Sequence, residues 1–158
     1  MSKSLKRVCA DAQARGLEIS PIRMDDGTTT AAMAAQAVGA QVAQIVKSVV
    51  LRASSGDEHL LFLTAGDNQV DLVAAADVAG LALEKADAAS IRAVTGFAIG
   101  GVSPFGHKTP LRSFFDPSLL KWPVVWAAAG TPHHVFEIAP DRLMAFTGAQ
   151  TAAFTRQI

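Results

Sequence analysis

Cysteine, charge and long apolar runs are all scarce in this chain, and each shortage closes off a class of function. Cys9 is the sole cysteine among 158 residues. It has no partner for an internal disulfide, and no cysteine cluster exists to hold zinc. Such usage suits a reducing compartment, so a cytoplasmic protein is expected. Charged residues make up only 18%, and fourteen basic side chains balance fourteen acidic ones. Without a net positive field the chain is not expected to coat long stretches of nucleic acid, DNA included. Contact with one end of a nucleic acid needs only a few local cations and stays open. No run approaches ~18 uninterrupted apolar residues, and the opening Met-Ser-Lys-Ser-Leu-Lys-Arg lacks an apolar signal core. Neither a membrane partner nor a secretory leader is expected.

What is present is apolar: half the residues are hydrophobic, which indicates a compact globular protein and not a disordered one. The length suits one domain over residues 1–158, with no internal repeat and no low-complexity tail. Leu5, Val8, Cys9 and Ala12 recur at helical spacing before Gly16, which predicts a helix over 3–15. Leu17 to Met24 reads as extended and Asp25-Asp26-Gly27 as a turn. Thr29 or Thr30 caps an alanine-rich helix ending near Gly39. Ile45 to Ala53 is β-branched and apolar on both faces, the pattern of a central strand. Ser54 to Asp57 makes a hairpin into a second strand, His59 to Thr64. Helices are expected over 70–78 and 88–94 and from Asp141 onward, with extended segments at 81–85, 111–115, 124–129 and 134–138. The sum is an α/β chain with a mixed sheet and helices packed around it.

Two features stand out chemically. Lys47 lies inside the central strand among Ile45, Val46, Val49 and Val50. A lysine there either runs its stem along the sheet to reach water, or presents its ammonium to an anionic group at a pocket mouth. The second feature is Phe97 to Pro110, where Gly100, Gly101 and Gly106 alternate with Pro104 and Pro110. Glycine lets backbone N–H groups approach a ligand, and proline holds the loop in one shape. This is either a preformed cradle for a polar group or a connector rich in turn residues.

Several readings of that loop fail. A nucleoside-triphosphate loop needs lysine directly after its second glycine; His107 intervenes before Lys108, and Pro104 removes an N–H. A serine nucleophile at Ser103 would need the N–H of the next residue, which is Pro104. His133 and His134 are adjacent and would point to opposite faces of a strand, so they do not jointly ligate a metal. Cys9 reads as a buried helix residue, and Asp25, Asp26, Asp57 and Glu58 as turn residues. Lys3, Lys6 and Arg7 form either a solvated helix face or a contact with nucleic acid. The remainder suits a site that positions a substrate and a water through backbone groups.

Three ordered segments resemble the YbaK/prolyl-tRNA synthetase editing-domain family of aminoacyl-tRNA deacylases. They are the alanine-rich helix leading into Gln44–Leu51, the loop Gly100–Gly106, and Ala129-Gly-Thr-Pro-His-His-Val-Phe136. The resemblance implies a mixed α/β fold with a curved, mostly antiparallel sheet, acting without metal, nucleotide or other cofactor. It implies hydrolysis in trans of the ester of a mischarged tRNA, typically proline tRNA bearing alanine, serine, threonine or cysteine. The partners implied are the aminoacylated acceptor end and prolyl-tRNA synthetase. By similarity, Lys47 would hold the phosphate or ribose region of the terminal adenosine. The loop around Gly101, Ser103, Pro104 and Gly106 would orient the ester and stabilise its oxyanion. Gly100, Val102 and Phe105 belong to the same substrate-facing loop. Met24, Thr29, Met33 and Ser48 would wall the pocket, with Gly130 and His133 or His134 at its rim. The alternative is a non-catalytic module of the same fold that binds tRNA ends or nucleotides.

Overall fold

In the computed structural model, which describes residues 2–158, local sequence signals account for most element boundaries. Helix α1 (Lys3–Ala14) starts where the Ser2 side chain accepts from Leu5 N–H. Of the segment expected to be extended from Leu17 to Met24, Ile22–Arg23 forms a two-residue strand, β1. Helix α2 (Ala31–Val38) is capped by Thr30 and ends at Gly39 in the left-handed region. Strand β2 (Ile45–Ala53) and its hairpin partner β3 (His59–Ala65) follow as expected. Next come β4 (Asn68–Val70), α3 (Leu72–Ala79), β5 (Leu83–Lys85) and α4 (Ala88–Thr95). The last part holds β6 (Arg112–Phe115), β7 (Val125–Ala128), β8 (His134–Ile138), α5 (Pro140–Thr147), β9 (Gln150–Thr151) and β10 (Thr155–Gln157).

Several strands are shorter than expected, and two helix starts shift for identifiable reasons. Val70 is not helical, because it pairs with Thr155 across β10. Asp71 then caps α3 by accepting from Val73 and Ala74 N–H. Helix α5 begins one residue early, at Pro140, whose missing N–H costs nothing at a first helical position.

The main sheet runs β1-β8-β7-β2-β3-β6-β9, with β5 also paired to β2, while β4 and β10 form a separate ribbon. Parallel pairs (β2 with β7, β3 with β6, β6 with β9) mix with antiparallel ones. Helices cover both faces. Val46, Val50, Leu61 and Leu63 pack with α1, Ile91 of α4, Leu143 of α5 and the loop residues Phe97, Val102 and Phe105. On the other face Leu51, Leu60, Phe62 and Phe114 pack under α3, and Ile45 and Val135 under α2.

The edge of β2 away from β3 is split. It pairs with β7 only at Ile45 and Val46 and with β5 only from Leu51 to Ala53. Among the described residues, no strand covers Lys47 to Val50 on that edge. The gap spans four residues, about 13 Å of strand.

The glycine–proline loop is anchored by α1. Arg7 donates from Nε to Gly106 C=O at 2.9 Å and from Nη2 to Thr95 C=O at 3.2 Å. Its guanidinium also lies 4.5 Å above the Phe97 ring. Of the three cations on α1, this one is committed to the loop. Charge-assisted bonds of this kind contribute ~1.5–3 kcal/mol each. Arg7→Ala is expected to cost ~2–3 kcal/mol, read as a fall of several degrees in the unfolding midpoint.

His107, at the other end of the loop, donates from Nε2 to Ser103 C=O at 2.7 Å. Burial pushes its pKa below the usual histidine value, against the pull of that bond. The folded protein therefore favours neutral His107, whereas the unfolded chain takes up the proton near pH 6.5. Stability from this group is fully present above about pH 6.5 and falls as the medium becomes more acidic. Unfolding midpoints measured from pH 7.5 to 5 should drop, and His107→Gln should flatten the decline. His134, also lowered chiefly by burial, adds a contribution of the same sign.

Candidate functional site

Beside the split edge of β2 lies a cavity of about 490 Å³. Its walls come from the N-terminal end of α2, the start of β2, Trp126 of β7 and the turn leading into β8. A second cavity of about 380 Å³ lies against Val49 to Leu51, Gln69, Val70 and Lys85. The two share Lys47, Ser48, Ile99 and Val102. The gap in β2 and the first half of the glycine loop are thus the common walls of one two-lobed site.

Lys47 is positioned by a buried network. Its Nζ donates to Asn68 C=O. The Asn68 side chain donates to Asp116 Oδ2 at 3.0 Å and to Ser118 Oγ at 3.3 Å. Asp116, only 1% exposed, also accepts from Ala65 N–H at 3.0 Å and Ser118 N–H at 2.9 Å. Burial lowers the Lys47 pKa, and the nearby charges of Asp67 and Asp116 oppose that shift. An ammonium has three donors; with one on Asn68, the others are available to an anion or an oxyanion. The structure has Lys47 in the wall of both lobes, with its ammonium bonded to Asn68 C=O.

The loop divides in two. Ile99, Gly100 and Val102 line the cavity, and Ile99 is 62% exposed there. Gly101 N–H is spent on Ala98 C=O at 2.9 Å. Gly101 is needed for packing, since a Cβ would stand 2.7 Å from the Thr131 carbonyl carbon. This close approach joins the loop to the Thr131–Pro132 turn. Ser103, Pro104 and Phe105 turn inward and are buried. Ser103 Oγ accepts from Phe105 N–H at 3.4 Å. The Phe105 ring packs tilted against Phe136 at 5.6 Å and edge-to-face against Phe146 at 4.9 Å. Gly106 and Gly130 have positive φ and pack against Val8. Of the loop residues singled out from sequence, the structure brings Gly100 and Val102 to the cavity. Gly101, Ser103, Pro104, Phe105 and Gly106 shape the loop from behind, as Gly130 does for its neighbour.

Among the expected wall residues, Met24, Thr29, Ser48, His133 and His134 line the larger lobe. Met33 is not among them: it faces outward, 40% exposed, with its sulfur 3.8 Å from Thr29 Oγ1. His133 precedes β8 and does not lie on it; its C=O accepts from Met24 N–H at 2.7 Å, which ties that turn to the end of β1. His134 Nδ1 bonds Thr131 Oγ1 at 2.6 Å. Its lowered pKa, due first to burial and then to the Arg23 and His133 charges, keeps it neutral near pH 7. Sequence reasoning missed Asn68, Asp116, Ile99, Trp126 and Thr131. Asp116 before Pro117 carries only a turn signal, and nothing local links it to Lys47. Among the described residues, no three His, Cys, Asp or Glu side chains gather as a metal-binding group, and no helix is long and apolar enough to cross a membrane.

A model of the aminoacyl-tRNA editing domain matches residues 25–146, which include Lys47, the glycine loop and every lining residue of the two lobes except Met24. The chain belongs to the aminoacyl-tRNA editing domain family. A solved structure of a candidate trans-editing enzyme for prolyl-tRNA synthetase is 44% identical, with a TM-score of 0.93 over 99% of both chains. The hypothetical protein APE2540 superposes with a TM-score of 0.87 at 26% identity, over 95% of this chain and 99% of that one. The uncharacterized protein YwhH of Bacillus subtilis (strain 168) is 28% identical over 144 residues, 91% of each chain. The mixed sheet with helices on both faces is therefore the editing-domain fold, and the β2 gap and the loop opposite it sit within the region that defines the family.

Proposed function

We propose that this editing domain works as a free-standing deacylase, hydrolysing the ester between a small noncognate amino acid and the 3′ end of proline tRNA. The observation that carries this reading is the position of Lys47. Its partly desolvated ammonium is held by the Asn68–Asp116 network in the wall common to two lobes. Two joined lobes suit a substrate of two parts, an aminoacyl group and a terminal adenosine. Lys47 then takes the phosphate or ribose region of the adenosine, and the backbone around Gly100 and Val102 orients the ester.

A water oxygen attacks the ester carbonyl carbon, and the new C–O bond gives a tetrahedral oxyanion. The bond to the ribose oxygen then breaks and that oxygen takes the proton given up by the attacking water, releasing the free amino acid and an uncharged tRNA. Donors aimed at the oxyanion supply most of the acceleration in such reactions. No protein nucleophile is used.

Discrimination against proline rests on the walls formed by Met24, Thr29, His133 and His134. An apolar pocket separates substrates differing by one methylene only ~10–200-fold, which is why a second hydrolytic site is useful to a synthetase. The acceptor end of the tRNA is the principal partner, and prolyl-tRNA synthetase is the enzyme whose errors would be removed. The neutral net charge is compatible with gripping only that end.

The test is deacylation of proline tRNA charged separately with alanine, serine, threonine, cysteine and proline. Rapid loss of one or more noncognate amino acids with prolyl-tRNA spared is the expected result. Tight binding of the acceptor end without turnover of any ester would replace the deacylase by a binding module.

A further inference from the structure

The exposed groups of the β2 gap can be named from the strand alternation. Ala53 N–H donates to Glu58 C=O in the hairpin, and Ser54 N–H donates to Ala82 C=O on the other side. In an antiparallel ladder successive peptides point to opposite edges. Odd-numbered residues of β2 therefore bond β3, and even-numbered ones face β5, β7 and the gap. Within the gap this leaves Ser48 N–H, Ser48 C=O and Val50 N–H turned toward the cavity. Ser48 Oγ adds a fourth polar group: it is buried and has no hydrogen-bond partner among the described residues. An unpaired edge and an orphaned hydroxyl at one residue form a specific vacancy, because buried polar groups are rarely left unbonded.

The geometry points to Ser48 as the residue that grips the aminoacyl group and reads its side chain. The inference rests on the deacylase reading above. A single L-aminoacyl group can form both bonds of an antiparallel hydrogen-bonded pair with Ser48. Its α-ammonium donates to Ser48 C=O, and its ester carbonyl oxygen accepts from Ser48 N–H. That pairing places the two Cα atoms ~5.5 Å apart with both side chains on the same face. The substrate side chain then lies beside Ser48 Oγ, under the loop at Val102 and on the sheet face of Val46 and Val50. A short side chain with a hydroxyl satisfies Ser48 Oγ; a methyl group leaves it orphaned. The favoured substrates are therefore seryl and threonyl esters over alanyl ones. A D-aminoacyl group making the same two bonds sends its side chain to the opposite face, the face of Lys47, and loses the contact. Ser48 N–H also remains on the carbonyl oxygen as it becomes an oxyanion, so the edge of β2 contributes to catalysis as well as to grip.

Binding reads this without any need for turnover. The probes are 3′-amino-3′-deoxyadenosine carrying L-seryl, L-alanyl or D-seryl through a stable amide, titrated by calorimetry. Wild type should bind the L-seryl compound at least ~10-fold more tightly than either of the others. Ser48→Ala should erase the seryl-over-alanyl preference. Ser48→Pro removes an N–H that no strand uses, so the ladder with β3 is spared; it should lose all three compounds. Should that variant fail to fold, an ester in place of the Lys47–Ser48 amide deletes the same N–H, with the same expected loss. Equal binding of L-seryl and L-alanyl compounds, no binding of any of them, or full binding by a folded protein lacking the Ser48 N–H would overturn the assignment. Deacylation distinguishes the two proposals. Hydrolysis of charged tRNA with no dependence on Ser48 removes the clamp and leaves the deacylase. The predicted binding pattern without hydrolysis removes the deacylase and leaves the clamp.

Discussion

Lys47→Ala should lower deacylation by ~10²–10³-fold, the loss typical of removing one preorganised donor to a developing oxyanion or bound anion. The same change should leave the fold intact. Lys47 makes one hydrogen bond, to Asn68 C=O, and burial already disfavours its ammonium. Losing that charge-assisted bond costs ~1.5–3 kcal/mol, partly offset by relief of the desolvation. The measurement is single-turnover deacylation beside a thermal melt. Lys47→Arg should not rescue, because a planar fork cannot replace a compact ammonium held by one carbonyl oxygen. A folded Lys47→Ala protein with wild-type turnover would remove this lysine from the mechanism. The lowered pKa adds a pH signature: Lys47-dependent activity should decline at a lower alkaline pH than an ordinary lysine would dictate.

The largest effect on stability is expected from Asp116→Ala. The Asp116 carboxylate lies below β3 and accepts from Ala65 N–H, Asn68 Nδ2 and Ser118 N–H. Removing it orphans buried donors, each at a cost of ~1–3 kcal/mol. A total of about 3 kcal/mol or more is a large share of the ~5–15 kcal/mol that stabilises a domain. At this chain length it should lower the unfolding midpoint by about 6–12 °C. The milder Asp116→Asn keeps the shape and leaves enough folded protein for kinetics. It should reduce turnover through Lys47, since Asn68 is the link between them. Double-mutant analysis separates this from mere destabilisation: Asp116→Asn added to Lys47→Ala should cost little further activity. Additive losses would make Asp116 a structural residue with no part in holding the lysine.

The two effects belong to one physical arrangement. An isolated lysine in a strand is unremarkable if its head reaches water, and chemically useful if its head is fixed. Here the fixing element comes from far along the chain. Asn68 follows β3, whose Thr64 pairs with Lys47, and is held on its other side by β10, while Asp116 reaches Asn68 from the turn after β6. A similar division holds for the glycine–proline loop. Its wealth of glycine and proline was legible from residue types alone. Which half faces the cavity was not. Phe105 decides that by joining Phe136 and Phe146 in the core, which pulls Ser103 and Pro104 inward and leaves Ile99, Gly100 and Val102 on the cavity.

By itself the sequence determined the elements whose signals are local. Thr30 and Gly39 bracket α2, the β-branched run makes β2, and Ser54 to Asp57 closes the hairpin. In each case the cap, the period or the turn residue lies within a few positions of the structure it specifies. Short strands such as β9 and β10 carry no period and exist only because a partner holds them. The gap in β2 is the clearest case of what only tertiary structure decided. Nothing in Lys47-Ser48-Val49-Val50 says that β7 will stop at Val46 and β5 begin at Leu51. That outcome depends on where segments about 35 and 80 residues away in sequence come to pair. Their pairing leaves the Ser48 N–H and C=O facing the cavity where a continuous sheet would have bonded them.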